Sequence, residues 1–156
     1  MLSAALFASI TPFAMANDPY EDFETTYLES IPTEAFAWAR TGVTNYAFAF
    51  TRYCFCPNSG TTYEINVRNN NVVSARNTDT GEMVEQEQLD YYPTVDELHL
   101  QLLKQNNKAH KITAEYNSRW HYPTKVYVDI HPMMADEEIS YEIPFLAPIM
   151  ASGVRD

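Results

Sequence analysis

Two hydrophobic rhythms run along the chain, one of period two and one of helical period. "NYAFAFTRYCFC" has the first. It places Tyr46, Phe48, Phe50, Arg52, Cys54 and Cys56 on one face of a strand, and Ala47, Ala49, Thr51, Tyr53 and Phe55 on the other. "TTYEINVR" repeats it, with Tyr63, Ile65 and Val67 inward and Glu64, Asn66 and Arg68 outward. "VVSAR" follows a run of asparagines. Asn tolerates positive φ, so Asn69 and Asn70 suit a tight hairpin turn. These segments predict a meander of three antiparallel strands.

The helical rhythm appears twice. "TEAFAWARTG" predicts a short helix capped by Thr33 and stopped at Gly42. "TVDELHLQLLKQNN" predicts the main helix. Thr94 and Glu97 form a capping box, and Val95, Leu98 and Leu102 form a buried stripe. Between meander and main helix, "NTDTGEMVEQEQLDYYP" reads as a long polar crossover. After the helix the period-two rhythm returns. Ile112, Ala114 and Tyr116 share a face, as do Val126, Val128 and Ile130, and "ISYEI" is a short last strand.

The order predicts a single α+β domain over residues 33–146. It is an antiparallel sheet of five to six strands, a meander of three, a helix, then two to three strands, with helices on one face. The other face is expected to be rich in Tyr and open to water or to a partner. Residues 17–32 form an acidic N-terminal lead-in, and the Pro-broken, apolar residues 147–156 form a C-terminal tail lying across the sheet or fraying.

The first sixteen residues, "MLSAALFASITPFAMA", change the picture of where the chain works. They are uncharged and apolar and end in small residues, the pattern of a signal peptide over residues 1–16 without its basic start. Export to the periplasm or beyond is expected, with a mature chain beginning at Asn17. The run is too short and too broken by Pro12 to span a membrane. The net charge of −11 disfavours nucleic acid and anionic lipid surfaces as partners. An apolar content of 46%, with 11 Tyr and 8 Phe, is ample for a packed core.

Candidate chemistry centres on Cys54 and Cys56. In a regular strand they would stand roughly 6.6 to 6.8 Å apart, the outer limit for a disulfide. A bond between them needs a bend at Phe55, and Pro57 makes this a strand end where bends are tolerated. An oxidising compartment favours such a bond. Free buried thiols, soft-metal ligation and thiol-redox work remain open. Thiolate, thioether and imidazole suit Cu(I), and His131, Met133 and Met134 could join the cysteines. Asp129, Asp136, Glu137 and Glu138 offer oxygen ligands, in a spacing that matches no calcium loop. His99, His110, His121 and His131 form no zinc-protease pattern, and phosphate loop, nucleophile elbow and Cys-x-x-Cys are all missing. No catalytic residue and no cofactor is assigned. The expectation is a non-enzymatic binding or interaction domain for an unknown protein or small ligand. Copper handling or thiol-redox work by Cys54 and Cys56 is the alternative.

"NYAFAFTRYCFCP", "VRNNNVVSARNTDTGE", "YPTVDELHLQL" and "YPTKVYVDIHPMMADEEISYEI" occur in this order. The combination resembles an uncharacterised family of small secreted bacterial proteins and lipoproteins, domain of unknown function 6174, over about residues 35 to 145. Cys54, Cys56 and Pro57 match its Cys-Phe-Cys-Pro signature. Asp79 to Gly81, Tyr122 to Thr124, Asp129, and Asp136 to Glu138 match its other motifs. Asn70 departs, standing where the family commonly has Gly, and Asn can adopt that conformation. The resemblance implies export and one α+β domain. It carries over no catalytic residue.

Overall fold

The computed structural model describes residues 28–134 and 136–149; residues 1–16, most of the lead-in and the end of the tail lie outside them. Its centre is strand β1 (Tyr46–Tyr53). Strands β2 (Thr62–Arg68) and β3 (Asn71–Asn77) complete the predicted meander. Asn69 at φ 49° and Asn70 at φ 59° make the hairpin turn, so Asn supplies the left-handed conformation at both turn positions. Strands β4 (Lys111–Tyr116), β5 (Pro123–Asp129), β6 (Ile139–Glu142) and β7 (Leu146–Pro148) follow the main helix. The order is β3-β2-β1-β6-β5-β4, with β7 also on β1 and every pairing antiparallel.

The sheet thus has seven strands rather than five to six. The addition is β7, which falls across the expected boundary between domain and tail. It resumes the line of β6, pairing Tyr46 to Phe48 where β6 pairs Thr51 to Tyr53. Pro144 lies between them, and without an N–H it cannot sustain a ladder. Three residues flanked by proline give too little periodicity to read as a strand.

Helix α1 spans Ser30–Thr41 and ends at Gly42, whose φ of 66° closes it. It starts at Ser30 rather than after Thr33. Thr33 sits inside the first turn, its hydroxyl donating to the Glu29 carbonyl at 2.9 Å. The end of the lead-in is therefore part of the domain. Ile31 is fully buried, and the Leu28 backbone exchanges two hydrogen bonds, 2.8 and 2.9 Å, with the Asn106 side chain. Helix α2 spans Val95–Gln105 with the predicted Thr94–Glu97 capping box. The polar crossover is not all loop. Gln86–Tyr91 forms a 3₁₀ helix that buries Leu89.

Both helices lie on the sheet face of Tyr46, Phe48, Phe50, Ile65, Val126 and Tyr141. Trp38 meets Tyr46 edge-to-face at 5.5 Å, and the Val95 N–H donates to the buried Tyr46 hydroxyl at 2.8 Å. The outer face is not rich in Tyr. Among the described residues its strands contribute Tyr53 and Tyr127, and the rest are small or charged. Glu64–Arg76 at 2.9 Å and Lys125–Glu142 at 3.5 Å pair across neighbouring strands. Tyr46, Tyr63, Tyr116 and Tyr141 turn inward because the period-two alternation of their strands places their bodies in the core.

His99 is the least expected core residue. It lies on the α2 stripe, 3% exposed, between the rings of Trp38 at 6.3 Å and Tyr116 at 6.0 Å. Its ring nitrogens make no hydrogen bond of good geometry among the described residues. Burial lowers its pKa to about 4, against a weaker opposite pull from the His121 backbone.

Two predictions follow from this packing. Leu98 is 1% exposed, so Leu98→Ala should cost about 2 to 5 kcal/mol in urea melts, whereas Glu97→Ala removes half a capping box and should cost about 1 kcal/mol. His99 binds its proton more weakly folded than unfolded. Its contribution is therefore complete above pH 6.5 and lost as pH falls from 6.5 towards 4, by about 3 kcal/mol in total. The stability of His99→Phe relative to wild type should rise over that window; parallel pH curves would show that His99 does not titrate there.

Candidate functional site

The helices leave part of the inner sheet face uncovered at the C-terminal end of β1. Phe50 and Arg52 point to that face in the period-two rhythm. Arg52 is the register partner of Tyr141 on β6. Around this pair lie two adjoining cavities. One, about 440 Å³, runs between Pro57, Asn58, Tyr63, Gln88 and Tyr92. The other, about 600 Å³, runs along α2 between Leu98, Leu100, Leu102, Val128, Ile130 and Ile139. Phe50, Arg52 and Tyr91 line both, so the two form one groove with Arg52 at its waist.

The groove walls differ in character. The first cavity is aromatic, with Tyr63 and Tyr92 edge-to-face at 4.8 Å. Burial, and a hydrogen bond to Tyr63, push the Tyr92 hydroxyl pKa up, so that phenol stays neutral; the Arg52 charge acts weakly the other way. The second cavity has an aliphatic stretch along α2 and β5, with Asp90, Glu97, Gln101, Lys104 and Gln105 also lining it. The Tyr141 hydroxyl in its wall is buried and has no hydrogen-bond partner among the described residues.

Arg52 stands apart from the other described arginines. Arg40 lies over Phe36, Arg68 donates to the Val67 carbonyl, Arg76 pairs with Glu64, and Arg119 lies over Trp120. Among the described residues the Arg52 guanidinium has no ion pair or side-chain hydrogen bond. The sequence signal was present: a cation in line with Tyr46, Phe48 and Phe50 on the core-facing side of a strand.

Cys54 and Cys56 lie just beyond β1, at disulfide distance, with Cα atoms 5.2 Å apart. The required bend is present. The Cys56 N–H donates to the Cys54 carbonyl at 2.8 Å, closing a three-residue γ-turn around Phe55, which is 85% exposed. The loop then folds back on the strand. Cys54 N–H donates to the Ser59 hydroxyl at 3.1 Å, and Gly60 N–H to the Arg52 carbonyl at 2.8 Å.

The predicted metal ligands divide. A shallow cavity of about 250 Å³ brings Asp136 and Glu138 to Cys54, Phe55, Tyr53 and Tyr127. His131, Met133 and Met134 are not on it. The His131 ring accepts from the Met133 N–H at 3.3 Å and organises its own turn, and Met133 is 74% exposed. Asp129 ends β5, and Glu137 is half-buried in the same loop as Asp136. Among the described residues no three His, Cys, Asp or Glu side chains converge as a metal cage. His121 has a different task from any ligand. At φ 62° it turns the β4–β5 connection, and its Nδ1 pairs with Glu34 of α1 at 2.7 Å.

No helix among the described residues is long and apolar enough to cross a membrane. No curated protein and no solved structure matches the chain. A family model does match, over residues 32–148, from the first turn of α1 to the end of β7. The chain belongs to that family, DUF6174, a family of unknown function.

Proposed function

We propose that this chain is an exported, non-enzymatic binding domain whose ligand occupies the groove around Arg52. One observation carries the reading. Two cavities of about 440 and 600 Å³ meet on the helix-bearing face, each in the range of small-molecule sites, with mainly apolar walls and charged or amide side chains among them. Supporting it, Tyr91 and Leu100 on the rim are 71% and 50% exposed, so the groove presents apolar surface to an incoming molecule. Export rests on the signal-like residues 1–16, and in an oxidising compartment Cys54 and Cys56 form a disulfide. That bond shapes the loop carrying Pro57 and Asn58, part of the groove wall.

A neutral environment-sensitive dye such as Nile red should bind saturably near one equivalent. Leu100→Glu, which sets a charge in the wall, should abolish that binding while the thermal midpoint stays close to wild type. Unsaturable fluorescence, or equal uptake by the variant, would sink the groove reading.

The cysteine pair is tested separately. Intact mass of protein purified without reductant should rise by about two hydrogens on reduction. Replacing both cysteines by Ser should cost about 1 to 2 kcal/mol, since a three-residue loop contributes only ~1.6 kcal/mol of chain entropy. Free thiols in periplasmic material would overturn the disulfide.

A further inference from the structure

We infer that the ligand of this groove is an amphipathic carboxylate, its head on Arg52 and its apolar chain along the aliphatic cavity of Leu98, Leu102, Val128 and Ile139. The inference rests on the groove reading and adds the chemistry of the occupant. Its first ground is Arg52. Arg52 is half-buried opposite Tyr141, and among the described residues its guanidinium has no ion pair or side-chain hydrogen bond to replace the water that it loses. A planar two-oxygen anion matches its fork and restores those bonds. The low dielectric of the groove strengthens the contact.

The second ground is what the surroundings reject. The protein carries a net charge of −11, and Asp90 and Glu97 stand at the edge of the aliphatic cavity. A dianion such as a phosphate monoester, or a polyanion, meets that field as repulsion. Lys104 at the same edge offsets one of the Asp90 and Glu97 carboxylates, which leaves Arg52 to balance a single carboxylate within a protein of net charge −11. The third ground is the apolar wall, which has no use for a small hydrophilic acid. Val128 and Tyr141 are nearly buried while Leu100 and Ile139 remain exposed, giving a trough with a floor and a rim. An unbranched hydrocarbon chain fills such a shape and removes apolar surface from water on both sides.

The test compares decanoate with decanol by calorimetry at neutral pH, on the wild-type protein and on Arg52→Gln and Arg52→Lys. Wild type should take up about one decanoate and bind it at least tenfold more tightly than decanol. Arg52→Gln should lose that preference by weakening decanoate alone, and Arg52→Lys should keep part of it. Should Arg52→Gln fail to fold, the wild-type preference for decanoate still decides. Equal affinity for the two ligands, unaffected at Arg52, would overturn the carboxylate and leave the groove reading standing. Failure of decanoate, decanol and Nile red together would remove the groove reading itself. A dimer in sedimentation that Leu100→Glu splits would make a second copy the occupant and overturn the inference.

Discussion

The hydrogen bond from the Val95 N–H to the Tyr46 hydroxyl fixes where the main helix begins on the sheet. A helix start has unsatisfied N–H groups, and a buried one needs partners. Thr94 and Glu97 supply some from within the helix, and Tyr46 supplies one from the sheet. Burial raises the Tyr46 pKa well above its ordinary value, so the phenol stays neutral and the contact does not vary across physiological pH. At the far end Asn106 binds both backbone groups of Leu28 and ties α1 to the end of α2. Between these fixed points Leu98, His99 and Leu102 must face inward, and helix rotation is no longer free.

The groove is a consequence of that placement. With α2 anchored beside Tyr46 at the start of β1, inner-face positions near the end of β1 receive less helical cover. Phe50 is still 3% exposed, whereas Arg52, two residues on, is half-exposed. An aliphatic residue at position 52 would close the sheet face onto Tyr91 and Leu98. A guanidinium cannot be sealed in without a partner, since an uncompensated buried charge costs several kcal/mol. One charged residue in a hydrophobic series therefore keeps part of an otherwise ordinary core open.

The strands and the main helix were legible because each has a long, unbroken periodicity. Tyr46-Phe48-Phe50 and Tyr63-Ile65-Val67 are inward as read, and the capping box at Thr94 fixed the phase of α2. Elements held by contacts remote in sequence were not legible. Ser30 enters α1 because Leu28 docks on Asn106, and β7 exists because β1 has a free edge beyond the reach of β6. The groove was half legible. Arg52 stood visibly on the apolar face, but the partners that surround it come from β2, the 3₁₀ turn, α2, β5 and β6. The metal candidates were drawn together by closeness in sequence. The loop between β5 and β6 turns the ring of His131 back on its own backbone and carries Asp136 and Glu138 to the cysteine turn.

That turn draws its importance from position rather than from stability. Closing three residues constrains the unfolded chain very little. In the folded chain it ends β1 immediately after the residue at the waist of the groove. The bend at Phe55 reverses the backbone, and the Gly60 N–H returns to the carbonyl of Arg52 itself. Gly60 does so at φ 79°, where a side chain would be strained. The same reversal swings Pro57, Asn58 and Thr61 into the aromatic cavity while leaving Cys54 and Phe55 beside Asp136 and Glu138 on the opposite side. The short cysteine loop is thus a partition. It places the groove of Arg52 on one side of β1 and the acidic surface on the other, and it holds the backbone from which Arg52 projects.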